Sequence, residues 1–247
     1  MISLRNAVLV LSALCSGVVF ADDSLPLESK SALCVILIGG IDSDPSPQQI
    51  DGTAPRGTGQ SGLFQLISDL PQQGLTTEYF NWNGTRAWQI KKKPPLSDGI
   101  TQFIQNRHAV HPRDRLVIIA NSWGGHTAWE VCDALNETSI PIEMALFLDP
   151  SSMGRAKTPR PTELPLCIKS ARNYYTRNVF GWREWPNENR IVNIDLGDTK
   201  HGFLVPGGPK YDATFDTQAH ISAEWDPRIH AEIKQHVLSL LKAEVSR

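Results

Sequence analysis

Cysteine is scarce in this sequence, charge of the two signs is nearly balanced, and past the first 21 residues no apolar run is long enough to cross a bilayer. Each shortage excludes something. With 24 basic and 26 acidic residues, the chain has no strong field to draw it to nucleic acid or to an anionic membrane surface. The four cysteines form no CxxC pair and no Cys/His cluster, so the sequence offers no zinc site. No internal repeat and no linker divides the 247 residues, a length that one large α/β domain commonly fills.

The N-terminus is the exception to this even composition. Arg5 precedes the apolar run Ala7 to Phe20, and Val19-Phe-Ala21 offers small residues where a signal peptidase reads, so residues 1–21 are predicted to be a signal peptide cleaved before Asp22. The run is short for a membrane span. Leu14-Cys15 is a poor match to a lipoprotein cleavage site. Export places the remaining Cys34, Cys132 and Cys167 in an oxidising compartment, where one disulfide and one free thiol are expected. Cys34 reads as a buried strand residue, which makes Cys132 with Cys167 the preferred pair.

Residues 22–31 read as a polar arm and 32–247 as a single domain. Ala32 to Ile38 is apolar throughout and stops at Gly39-Gly40, the pattern of a strand buried on both faces. Further strands are expected at Thr76–Trp82, Arg115–Ala120, Glu143–Leu148, Cys167–Tyr175 and Arg190–Leu196. Helical spacing is found at Gly62–Leu70, after a cap at Ser97, from Trp123 to about Leu135, and from Ile229 to Leu241. Strands alternating with helix-sized patterns predict an α/β fold, a mostly parallel central sheet with helices on both faces.

Sites in such sheets form outside the carboxyl ends of the strands. At the end of the third strand stands Ala120-Asn-Ser-Trp-Gly124. A serine in a very tight strand-to-helix turn is exposed above the sheet, and the turn demands small residues two before and two after it. Ala120 and Gly124 are small, so Ser122 is the candidate nucleophile. The backbone N–H groups of Gly40 or Ile41, after the first strand, and of Trp123 are candidate oxyanion donors.

The fold delivers its base late in the chain. His220 precedes the final helix, which Asp226-Pro227 would start; His201, after the strand at 190–196, competes with it. The acid should leave the carboxyl end of a strand beyond the serine strand. Asp149, followed by Pro150, meets that condition, with Asp198 and Glu184 as alternatives.

With these residues the chain resembles a secreted α/β-hydrolase of the lipase/esterase kind, over most of residues 32 to 242. The Ala-for-Gly start of the serine motif is similar to that of small bacterial lipases, and Leu148-Asp-Pro-Ser151 resembles the Leu-Asp-Pro segment that carries the acid in pancreatic-type lipases. Most members take their acid from one strand later. The resemblance implies the α/β-hydrolase fold, a catalytic set of Ser122, Asp149 and His220, acyl transfer to Ser122, hydrolysis of the acyl-enzyme, and no cofactor or metal. It implies a small-molecule or lipid ester as substrate. Trp82, Trp88, Trp123, Trp182 and Trp185 are candidates to line the acyl site, and Asp42 to Gln60 is a candidate flap. A peptidase, thioesterase or acyltransferase would use the same set, and a binding protein could keep the fold without the chemistry.

Overall fold

A computed structural model of the chain describes residues 33–245, other than 42, 56, 58, 72–73, 83–95, 153–161 and 186–188. The predicted signal peptide, the arm and Trp88 lie outside the described residues. All described residues belong to one compact unit, Ser31–Arg247.

Six strands, β1 (Leu33–Ile38), β2 (Leu75–Phe80), β3 (Arg115–Asn121), β4 (Ile142–Leu148), β5 (Ala171–Tyr175) and β6 (Ile191–Asp195), form one sheet in the order β2-β1-β3-β4-β5-β6. Every pairing is parallel. The chain starts in β1, moves outward to β2, then crosses back to β3 on the other side of β1. The strand order therefore switches direction between β1 and β3, where the carboxyl ends leave a crevice.

Continuous apolar runs in β1 and β3 follow from burial on both faces. Cys34, Ile36, Ile38, Ile118 and Ala120 face one core with α3 (Leu96–Val110) and α4 (Trp123–Leu135). Leu33, Val35, Leu37, Val117 and Ile119 face the other with α2 (Gly62–Asp69), α5 (Thr217–Trp225) and α6 (Pro227–Val245). Each Leu, Ile or Val so buried contributes about 2 kcal/mol, which fixes the strand ends that carry the site. A short helix, α1 (Pro47–Ile50), precedes α2.

Several expectations need correction. Ser97 lies inside α3, which begins at Leu96, and so does not cap it. The strand expected from Cys167 is shorter: the turn closed by Ile168 N–H on the Pro165 carbonyl leaves one bridge, Ile142 to Ile168, before β5 starts at Ala171. Cys132 and Cys167 are neighbours yet unbridged. The Cys167 thiol donates to the Cys132 backbone carbonyl at 3.1 Å.

The stretch expected to be a loop before the last helix is itself a helix, α5, in which Asp216 Oδ1 accepts from the backbone N–H groups of Gln218 and Ala219. Pro227 ends it, because the residue before a proline is pushed out of the helical region, and Asp226 is extended (φ −66, ψ 115). α5 escapes a periodicity reading because it buries only Ala219, Ala223 and Glu224.

Candidate active site

Ser122 occupies the turn between β3 and α4 with φ 51 and ψ −127, left-handed backbone that a side chain rarely adopts. Holding a non-glycine residue there costs roughly 1–3 kcal/mol, and its neighbours enforce it. Ser122 N–H donates to the Leu148 carbonyl at 3.0 Å, and its own carbonyl accepts from Ser151 N–H at 2.8 Å and Gly125 N–H at 2.9 Å. The small residues after it are required by contact. A Cβ on Gly124 would stand 2.1 Å from the Ile38 carbonyl oxygen, and one on Gly125 2.4 Å from Cβ of Pro150. The helix thus leans on the ends of both β1 and β4.

Asp149 ends β4 in a second left-handed conformation, φ 41. Its backbone N–H donates to the Tyr174 carbonyl at 2.6 Å, which extends the β4–β5 ladder by one residue and sets the carboxylate beside Thr176. Thr176 N–H donates to Oδ1 and Thr176 Oγ1 to Oδ2, both at 2.9 Å. The group is only 1% exposed. Gly181 closes the far side, where a Cβ would meet Asp149 Oδ1 at 2.5 Å.

His220, in the first turns of α5, joins the two strand ends. Its Nδ1 lies 2.6 Å from Asp149 Oδ2 and its Nε2 2.8 Å from Ser122 Oγ. A carboxylate only accepts, so Nδ1 carries the proton and Nε2 is left to accept from the serine hydroxyl. The imidazole remains 19% exposed, while the Asp149 carboxylate is shut away from solvent.

The alternatives named from sequence lie apart from this group. His201 sits in a short 3-10 turn capped by Asp198, whose carboxylate pairs with Lys200 at 3.0 Å. Glu184 is exposed. His126 and His230 are buried and structural: His126 packs against Trp129 and Trp182, while His230 Nε2 bonds the Glu224 carbonyl at 2.7 Å.

The oxyanion candidates separate. Gly40 is against Ser122, since a Cβ there would meet Ser122 Cβ at 2.7 Å, but its N–H donates to Asn121 Oδ1 at 2.9 Å and is committed to that bond. Gly40 thus matters for its missing side chain and its anchored position, and is corrected as a donor. Trp123 N–H is among the first four helical N–H groups, which have no partner within the helix, and Ile41 follows Gly40 at the exposed rim.

Of the tryptophans, Trp82 and Trp123 meet edge to face at 5.5 Å between ring centroids, beside the turn. Trp182 and Trp185 belong to the core, and Trp82 is as buried as Trp182, at 5% exposed, so all three are corrected as lining candidates. Within the described part of the expected flap, Gln49 Oε1 accepts from Gln60 and Ser61 N–H groups and its Nε2 donates to the Ser61 carbonyl, which ties the segment to the start of α2.

Sequence reading misses Thr176, Gly181 and Asn121. Thr176 has a usable signal, since it immediately follows β5, the neighbour of the strand that ends in Asp149. Among the described residues no group of His, Cys, Asp and Glu side chains could hold a metal ion.

No protein-family model matches the chain. No curated protein matches it either. Among solved structures it is similar to a cutinase-like protein from Cryptococcus sp., at 13% identity over 85% of this chain and 96% of that one, TM-score 0.43. A hydrolase assigned to the α/β superfamily from Xanthomonas campestris pv. campestris gives 16% identity over 82% and 98%, TM-score 0.42. Aspergillus fumigatus lipase B gives 11% identity over 73% of this chain and 48% of that one, TM-score 0.44. It is the chain's own features that define its fold. A parallel sheet ordered β2-β1-β3-β4-β5-β6, with a serine in a left-handed turn between the third strand and its helix, is the α/β-hydrolase fold.

Proposed function

We propose that the protein is a serine hydrolase that cleaves carboxylic esters through an acyl-enzyme on Ser122, exported by way of a signal peptide at residues 1–21. The observation that carries this reading is the continuous hydrogen-bonded path from Ser122 Oγ through both nitrogens of His220 to Asp149.

In the proposed mechanism His220 Nε2 takes the hydroxyl proton as Ser122 Oγ attacks the ester carbonyl. Asp149 holds the imidazole in the required tautomer and stabilises its cation. The oxyanion that forms is met by the N–H of Trp123, at the positive end of α4, and by that of Ile41. When the tetrahedral intermediate collapses, the C–O bond to the alcohol breaks and His220 returns the proton to the leaving oxygen. Water then repeats the sequence on the acyl-enzyme: His220 takes its proton, hydroxide adds to the carbonyl, and Ser122 leaves with the proton restored. The partly exposed imidazole favours an ester that meets the site from the solvent side. No described helix is long and apolar enough to cross a membrane.

A fluorescent phosphonate, which phosphonylates only an activated serine, tests the assignment. Wild-type protein is expected to take up one label and Ser122→Ala none, with p-nitrophenyl esters turned over far faster than the matching amides. Equal labelling of the two proteins would overturn the reading.

A further inference from the structure

Asp149 and His220 are joined by a second route, through the loop that follows β5. Thr176 and Asn178 stand on it, both fully shut off from solvent. Asn178 N–H donates to Thr176 Oγ1 at 3.2 Å. A backbone N–H can only donate, so the Thr176 hydroxyl sends its own proton to Asp149 Oδ2, at 2.9 Å, the same oxygen that meets His220 Nδ1.

The Asn178 side chain carries the route onward, and backbone groups fix its amide at both ends. Phe180 N–H donates to Oδ1 at 3.1 Å, which leaves Nδ2 to donate to the carbonyl of Asp216. Asp216 is the N-cap of α5, and His220 is the fourth residue of that helix. The bonds therefore close a ring, from Asp149 through Thr176 and Asn178 to the start of α5, and back through His220 to Asp149. The neighbours of Asn178 add backbone bonds to the stretch before the cap, Arg177 N–H to the Tyr211 carbonyl at 2.8 Å and Val179 N–H to that of Thr214 at 3.0 Å. Asn178 holds the cap residue itself.

α5 needs such a hold. It buries Ala219, Ala223 and Glu224, so little apolar surface fixes its first turn, and helices draw most of their stability from packing of an apolar face. Yet the imidazole on that turn makes two bonds at once, 2.6 Å to Asp149 and 2.8 Å to Ser122. The ring is rigid, so a shift of the helix lengthens at least one of them.

We propose that Asn178 is a positioning residue which, by gripping the Asp216 carbonyl, fixes the start of α5 so that His220 stands at working distance from both Asp149 and Ser122. This rests on the serine-hydrolase reading. Asn178 touches none of the reacting atoms and acts through the helix.

The test uses the whole protein and has three readouts: rates counted per phosphonate-titrated serine, unfolding midpoints, and the proton NMR signal of His220 Nδ1–H. A short bond to a carboxylate carries that signal far downfield, and His220→Ala identifies it by its loss. Asn178→Ala removes the side-chain bonds and leaves the backbone N–H to Thr176 in place. kcat is expected to fall by about ten- to a hundredfold with KM little changed, the scale of a misplacement of about 1 Å, and the downfield signal should move upfield or vanish. Asn178→Ser, too short to reach the Asp216 carbonyl, should behave alike. Arg177→Ala removes an exposed side chain from the same loop and keeps the backbone bond to Tyr211, so all three readouts should stay near wild type.

Wild-type turnover per titrated serine in the Asn178 variants would overturn the proposal while leaving the hydrolase reading intact. So would slow variants whose downfield signal is unchanged, an equal loss in Arg177→Ala, or Asn178 variants that both fail to fold, which would make the residue a part of the core and nothing more. Wild-type protein that takes up no phosphonate removes both readings together.

Discussion

Two carboxylates flank one imidazole in this molecule, and their surroundings differ. Asp149 stands at the end of a strand, shares a 2.6 Å hydrogen bond with His220, and has its other contacts from Thr176, one residue past the neighbouring strand. Glu224 stands on the helix of the imidazole itself, and its Oε1 accepts from Ser61 Oγ at 3.0 Å and from Leu63 N–H at 2.9 Å, at the start of α2. The first group can set the proton position on the imidazole; the second ties α5 to the start of α2. Burial of an acid near an imidazole therefore does not by itself assign a role, and the hydrogen-bond partners do.

The comparison can be broken most severely at Asp149. Asp149→Asn keeps the shape but offers an amide to Nδ1, which favours the wrong tautomer, and kcat is expected to drop by about 10⁴. A drop no larger than that of Glu224→Gln, measured on the same ester, would erase the distinction between the two groups. A smaller effect is expected from Gly181→Ala. Its new Cβ would sit 2.5 Å from Asp149 Oδ1, so the carboxylate must shift against Thr176 and His220, lowering kcat by about tenfold. Unchanged kcat there would mean that the carboxylate has room the packing denies it.

The smallest effect is on stability. The Glu224 pKa is raised, chiefly by burial, so the folded state holds its proton more tightly than the unfolded state does. The stability this gives is complete below the ordinary glutamate pKa of about 4.3, and it is lost as pH rises through the raised folded value. Urea unfolding of wild-type and Glu224→Gln protein across that window should show wild type losing ground as pH increases. A constant gap would mean that Glu224 titrates as an exposed acid.

The same pair shows how far the sequence can be read. Strand ends announce themselves: Arg115 to Ala120 is apolar and stops at a serine between small residues, and Met144 to Leu148 stops at Asp149-Pro150. Chain order then points to a late histidine, and His220 is the one found beside Ser122. Glu224 carries no such mark. A glutamate between alanine and tryptophan in a helix with no apolar stripe reads as solvent-facing, and its burial is decided by how α5 docks on the first turn of α2. The use of Gly40 is hidden for a related reason. In sequence its N–H is free to point into the site, and it is Asn121, 81 residues later, that comes back to claim it. Cys132 and Cys167 are legible as neighbours, but adjacency does not make a bond, and the thiol finds a carbonyl instead.

The serine-hydrolase reading stands or falls on a covalent intermediate at Ser122. Mixing the protein with a p-nitrophenyl ester, quenching in acid within milliseconds and mapping the digest by mass should show the acyl mass on the peptide containing Ser122, and on no other. Turnover that proceeds with that peptide unmodified at every quench time, or with the acyl group on a different residue, would contradict it.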